Sequence, residues 1–140
     1  MGKRPFNIHT VLRRIRQEVK QFADAAMFDL AAKGYDSPFH QLVACIISVR
    51  TLDEVSLPTA RRLFKAAPTA RAISRLSIAR IAALIRPSSF YGTKAHNIRD
   101  MAKRVVDEYG GELPCDFEVM TSFRGVGPKC ANLTLGIACG

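Results

Sequence analysis

Lys129 is the residue best placed to do chemistry. It follows Gly125-Val126-Gly127-Pro128 in the closing stretch FRGVGPKCANLTLGIACG. Proline fits the first helical position, so a helix is expected to open here with Lys129 in its first turn. The positive end of a helix dipole disfavours a second positive charge, which biases the amine toward its free, nucleophilic form. A free amine attacks an aldehyde-like carbon and forms a Schiff base, and C1′ of an abasic or departing nucleoside sugar is such a carbon. The same lysine can instead meet a phosphate as a plain cation. Both readings stand at this level.

The turn before Lys129 suits a phosphate chain. Gly125 and Gly127 can take backbone angles closed to other residues and carry no side chain to block a close approach. Amides of the turn and of the next helix's first turn have no intrahelical acceptor, and the dipole favours an anion there. Val126, at the tip, is expected to pack under the turn. A short helix, this turn and a second helix make a helix–hairpin–helix, which grips a DNA backbone without reading its sequence. The plainer alternative is a helix corner with convenient glycines.

Charge agrees with a polyanionic partner. Twenty-one Lys and Arg against twelve Asp and Glu give +9, with a pI near 9.9. Nucleic acid is the first such partner and an anionic membrane surface the second. No apolar stretch reaches membrane-spanning length. The cysteines, Cys45, Cys115, Cys130 and Cys139, show neither zinc nor iron–sulfur spacing. With no secretory signal they are expected as reduced thiols in the cytosol, Cys45 buried within LVACIISV.

The elements around Lys129 read as helices. Ile8, Val11, Leu12, Ile15, Val19 and Phe22 form one apolar stripe. Ser37 and Pro38 open a helix that is apolar nearly all round and so belongs at the centre. Asp53 can cap the next helix, whose first turn Pro58 should disturb or delay. Thr69 and Ser77 open two short helices. Ala95, Ile98, Met101, Ala102, Val105, Val106 and Tyr109 mark a long one that ends at Gly110-Gly111. Asp116 caps another short helix before the hairpin. No segment alternates as a strand. The expected fold is all-α: a globule of roughly eight helices with a helix–hairpin–helix at its C-terminal end. Residues 1–36 form an N-terminal helical segment and 37–140 the helical domain.

Three ordered segments carry a family resemblance: SPFHQLVACIISVRTLDEVSLPTARRLF (37–64), FYGTKAHNIRDMAKRVVDEYGGELPCD (90–116) and FRGVGPKCANLTLGIACG (123–140). Together they resemble the endonuclease III family of DNA glycosylases with an associated lyase, and GVGPKCAN is the most diagnostic piece. The resemblance implies base-excision repair of double-stranded DNA, with a damaged base, an oxidised pyrimidine by expectation, flipped into a pocket between two helical subdomains. Residues 1–36 would belong to the second subdomain. Lys129 matches the lysine that attacks C1′, expels the base and nicks the strand by β-elimination. Gly125, Val126 and Gly127 match the DNA-gripping hairpin, and Lys94 is expected among the DNA contacts. Asp53 matches an acidic residue at a helix start near the pocket; a helix-capping role is the alternative. Arg50 stands where the family has a glutamine that fills the gap left by the flipped base. Phe123 and Arg124 replace Leu-Pro, and Cys130 replaces a threonine.

The family's second catalytic residue, an aspartate in a Val-Asp-Thr-His motif, and its 4Fe–4S cysteines would both lie beyond residue 140. The expectation is therefore a C-terminally truncated form with no cofactor or metal in this chain, a monomer in the cytoplasm on the bacterial nucleoid or in a nucleus. A non-catalytic DNA-binding remnant is the alternative function, and a basic helical interaction module with no DNA role is a third.

Overall fold

The computed structural model describes residues 7–19 and 26–140. The helices are α1 (Ile8–Val19), α2 (Ala26–Ala32), α3 (Pro38–Ser48), α4 (Asp53–Ala66), α5 (Ala70–Ser74), α6 (Ile78–Leu84), α7 (Tyr91–Tyr109), α8 (Phe117–Thr121) and α9 (Pro128–Ala138). There is no strand among the described residues.

Helix α3 is the axle. Ser37 caps it, accepting from the His40 amide at 3.1 Å, and Pro38 opens its first turn. Every residue from Phe39 to Ile47 except His40 is buried. Such a helix needs neighbours on all sides, and α2, α4, α7 and α9 supply them. Its two ends therefore lie at fixed places on the surface, and its C-terminal end carries Arg50.

Helix α7 buries the foreseen stripe of Ala95, Ile98, Met101, Ala102 and Val105 against α5 and α6. Gly110 and Gly111 stop it with positive φ, and the Gly111 amide donates back to Val105 O at 2.9 Å. Thr69, Ser77 and Asp116 cap α5, α6 and α8 as their residue types foretold.

Helix α4 departs from expectation twice. Its N-cap is Leu52, and Asp53 is already helical, so Asp53 does not cap. Pro58 neither delays nor breaks the helix. Near the N-terminus it removes one hydrogen bond, the one to Glu54 O, and that exposed residue leaves its carbonyl to water. One residue on, Thr59 Oγ1 donates to Val55 O at 2.7 Å.

Helix α1 carries the apolar stripe, yet Ile8, Leu12 and Ile15 are 44–51% exposed. The side chain of Val19 and all of Phe22 lie outside the described residues. Helix α2 was not separable from α1 by periodicity, and it sends Met27 and Leu30 into the core.

Candidate functional site

The C-terminal end of α3 and the N-terminal end of α9 come together around a cavity of about 640 Å³. Arg50, Asp53, Gly125, Gly127 and Lys129 all line it. These residues span some eighty positions of sequence, and α3–α9 packing is what gathers them.

The hairpin is built from α8, residues 122–127 and α9. Phe123 and Val126 are its buried underside, and the Val126 amide donates to Phe123 O at 3.2 Å. Arg104 of α7 braces it, with the guanidinium 4.5 Å from the Phe123 ring centre and a hydrogen bond to Ser122 O at 3.3 Å.

The two glycines turn out to serve different ends. Gly125 has φ +88°, and a Cβ there would lie 2.6 Å from Asn97 Nδ2, so both backbone and space demand glycine. Gly127 does not need a special backbone angle, contrary to expectation. It is the N-cap of α9 in extended geometry, φ −97° and ψ 179°, and a Cβ there would meet nothing within 4 Å. Its missing side chain leaves open space in front of α9. The amides of Gly127, Lys129 and Cys130 have no hydrogen-bond acceptor among the described residues. This is a set of donors at a positive helix end, the arrangement that binds a phosphate.

Lys129 is exposed and in no ion pair among the described residues. The hairpin beside it is uncovered, with Gly125 and Gly127 both exposed. Asp53 is exposed and lines the same cavity.

Lys94 departs from expectation. It is 5% exposed, and its ammonium is enclosed, donating to Ile47 O, Val49 O and Ser88 Oγ at 2.9, 2.7 and 2.7 Å. Burial lowers its pKa from 10.5 to about 8. It cannot present its charge to a strand from there. The signal was in the sequence: Lys94 sits four residues before Ile98 and seven before Met101, on the buried face.

Phe90 was the residue missed. It is 63% exposed, has φ 57°, and its ring lies 5.7 Å from the guanidinium carbon of Arg50, itself at φ 55°. A second hollow of about 280 Å³ runs between this pair and Gly125. Only aromatic type marked Phe90 in the sequence.

The cysteines are not free thiols. Cys45 is bonded to Cys130, 85 residues on, and Cys115 to Cys139. Spacing could not reveal this, because α3–α9 packing brings Cys45 to Cys130 and the α7–α8 loop brings Cys115 to the end of α9. Each cysteine is thus taken by another, so this set does not suit an iron–sulfur cluster. No grouping of metal-binding side chains occurs among the described residues.

Comparison with known proteins agrees with this geometry. Residues 43–134 match the HhH-GPD superfamily base excision DNA repair protein family. Endonuclease III of Haemophilus influenzae is 32% identical over 106 residues, 76% of this chain and 50% of the relative. Endonuclease III of Synechocystis is 34% identical over 106 residues, 76% of this chain and 48% of the relative. The chain thus spans about half the length of these curated relatives. A trapped endonuclease III–DNA covalent intermediate superposes with TM-score 0.71 at 30% identity, over 74% of this chain and 49% of that one. A non-covalent endonuclease III–DNA complex reaches 0.75 at 25% identity, over 96% of this chain and 61% of that one. With the hairpin, the lysine at the helix mouth and the family match in one place, the chain belongs to the HhH-GPD superfamily of base excision DNA repair proteins.

Proposed function

We propose that the chain binds damaged duplex DNA through the hairpin, removes an oxidised pyrimidine and cleaves the strand at the resulting site. The observation that carries this reading is the exposed Lys129 at the mouth of α9, sharing a cavity with Asp53 and flanked by the hairpin's unpaired amides.

The steps balance on these groups. The three amides hold a backbone phosphate and set the sugar over the cavity. The Lys129 Nζ lone pair attacks C1′. The glycosidic bond breaks, and its electron pair leaves with the base, which takes up a proton. Loss of a proton from nitrogen and opening of the sugar give the imine. Removal of a C2′ proton then expels the 3′ phosphate oxygen, and water hydrolyses the imine to return the amine. Asp53 supplies the negative charge that faces the cationic sugar. Arg50 fills the space left by the base, and the exposed Phe90 ring offers a stacking surface beside it.

Sodium cyanoborohydride, which reduces imines and spares disulfides, gives the test. The protein should become covalently joined to abasic-site DNA, and Lys129→Gln should abolish the adduct while still binding. Binding without any adduct would support the non-catalytic remnant instead. Equal affinity for DNA and unrelated polyanions, unmoved by Gly127→Val, would remove the DNA role altogether.

A further inference from the structure

Among the described residues Lys94 is the only buried charged side chain. Its hydrogen-bond partners come from two separate pieces of chain. Ile47 O, Val49 O and Thr51 Oγ1, the last at 3.4 Å, belong to the end of α3 and the α3–α4 turn. Ser88 belongs to the loop before α7. The pieces are also joined directly: Ser88 Oγ donates to Ile47 O at 2.7 Å, and the Ser89 amide to Thr51 Oγ1 at 3.0 Å. Each piece carries one of the two non-glycine residues with positive φ among the described residues. Arg50 lies between Val49 and Thr51, and Phe90 lies two residues after Ser88. Left-handed backbone at bulky residues is uphill and persists only where its surroundings hold it.

We propose that Lys94 is a positioning residue, whose buried ammonium clamps the Arg50 turn to the Phe90 loop and so holds these two side chains as a rigid jaw for entering the base stack at a damaged site. This rests on the reading that this face binds damaged duplex.

An ammonium suits the place for a physical reason. The end of α3 directs Ile47 O and Val49 O toward the Lys94 ammonium, and the negative dipole end of the helix favours a cation. Three N–H donors can serve several of these acceptors at once. A methionine of similar length would leave Ile47 O and Val49 O with only the hydroxyls of Ser88 and Thr51 as side-chain donors, and Ser88 Oγ without the ammonium. The Val49–Thr51 turn would then relax toward ordinary backbone angles, and Arg50 would swing away from Phe90. Lys94 itself touches no nucleic acid in this arrangement.

The test uses the full chain and a duplex with 2-aminopurine beside a stable abasic analogue, since the fluorescence of 2-aminopurine rises when it unstacks. Wild-type protein should raise the signal. Lys94→Met, checked for folding by circular dichroism and urea unfolding, should lose most of the rise, and its preference for abasic over intact duplex should fall on the order of tenfold. Its affinity for intact duplex should stay within about threefold, because the hairpin's phosphate contacts are untouched. Adding Lys94→Met to a chain carrying both Arg50→Ala and Phe90→Ala should cause no further loss, because the lysine acts through these two side chains. If Lys94→Met fails to fold, Ser88→Ala opens the clamp from the other side and should show the same loss.

Wild-type fluorescence in Lys94→Met or Ser88→Ala, a further loss when Lys94→Met is added to Arg50→Ala and Phe90→Ala together, or no rise with the wild-type protein would each overturn the proposal. Imine trapping with no fluorescence difference between variants sinks the clamp and leaves the lyase. Fluorescence lost in Lys94→Met, with no trapping by either protein, sinks the lyase and leaves the clamp.

Discussion

Substituting the two hairpin glycines one at a time separates folding from binding. Gly125→Ala puts a Cβ at φ +88°, 2.6 Å from Asn97 Nδ2. The left-handed backbone costs an alanine about 1–2 kcal/mol relative to glycine. Asn97 is 8% exposed and must turn aside, which adds about 0.5–1.5 kcal/mol if it leaves its rotamer. Loss of about 1.5–3.5 kcal/mol should therefore appear as a lower urea midpoint, a large share of a typical domain's stability. Gly127→Ala meets no neighbour and keeps an allowed φ of −97°. Alanine is a poorer N-cap than glycine but restricts the unfolded chain, and these effects offset to within about 1 kcal/mol. Its methyl stands instead in front of α9, where a phosphate would sit. Affinity for duplex DNA should fall about tenfold or more, equivalent to about 1.4 kcal/mol. Asn97→Ala combined with Gly125→Ala should recover the steric part and leave only the backbone part. Wild-type DNA affinity in Gly127→Ala, or a wild-type urea midpoint in Gly125→Ala, would refute these assignments.

Reducing the disulfides should destabilise the fold by an amount set by loop length. The links close spans of 85 and 24 residues, worth about 4.5 and about 3.5 kcal/mol respectively on the chain-entropy account, and urea midpoints with and without a phosphine reductant measure the loss. Unchanged midpoints after mass spectrometry has verified reduction would contradict this. Lys94 gives stability a pH slope. Between about 8, its folded pKa, and 10.5, the unfolded chain holds a proton that the folded protein has released, so stability should rise with pH by up to about 1.4 kcal/mol per unit. Lys94→Met should lack that rise in urea titrations from pH 7.5 upward, on the order of the range where the lysine titrates. Salt dependence of DNA binding should separate outward from inward cations. Arg50→Ala should shrink the slope of log K against log salt by about one, whereas Arg99→Ala should leave the slope alone and cost about 1 kcal/mol of stability.

The helices were legible because their signals are local. Ser37, Thr69, Ser77 and Asp116 each accept from the amide three residues on, as their types promise. The α7 stripe and the glycines behind it needed no tertiary knowledge. Lys129 and the hairpin were legible too, because Pro128 fixes where α9 starts. What failed depends on partners distant in sequence. Asp53 has the type of a cap, yet the helix begins one residue earlier, with Leu52 at the N-cap and no side-chain capping bond. The left-handed angles at Arg50 and Phe90 have no composition signal, since neither is glycine or asparagine. The cysteine pairs required knowing that α3 lies on α9.

The charge of +9 was the least specific signal, and the structure divides it. Arg62 Nε donates to Leu84 O at 2.9 Å, at the end of α6, and Arg99 Nε donates to Leu76 O at 3.0 Å, just past α5. Arg104 reaches Ser122 O at the end of α8, and Lys94 reaches the last carbonyls of α3. Each of these cations sits at the negative end of a helix and satisfies carbonyls that no later turn can reach. A protein of many short helices has many such ends, so part of its basic content follows from its architecture. The cations left for DNA are those that face solvent with no carbonyl to serve, and Arg50 and Lys129 stand among them at the cavity rim. Their placement, more than the total, supports the proposed nucleic-acid interface: one cation is held against an aromatic ring beside the α3 end, the other rides on the helix whose N-terminal amides have no acceptor among the described residues. The two helices are joined covalently by the Cys45–Cys130 link, with Cys130 directly following Lys129, so under the proposed function the link holds the α9 cation beside the α3 end that carries the other.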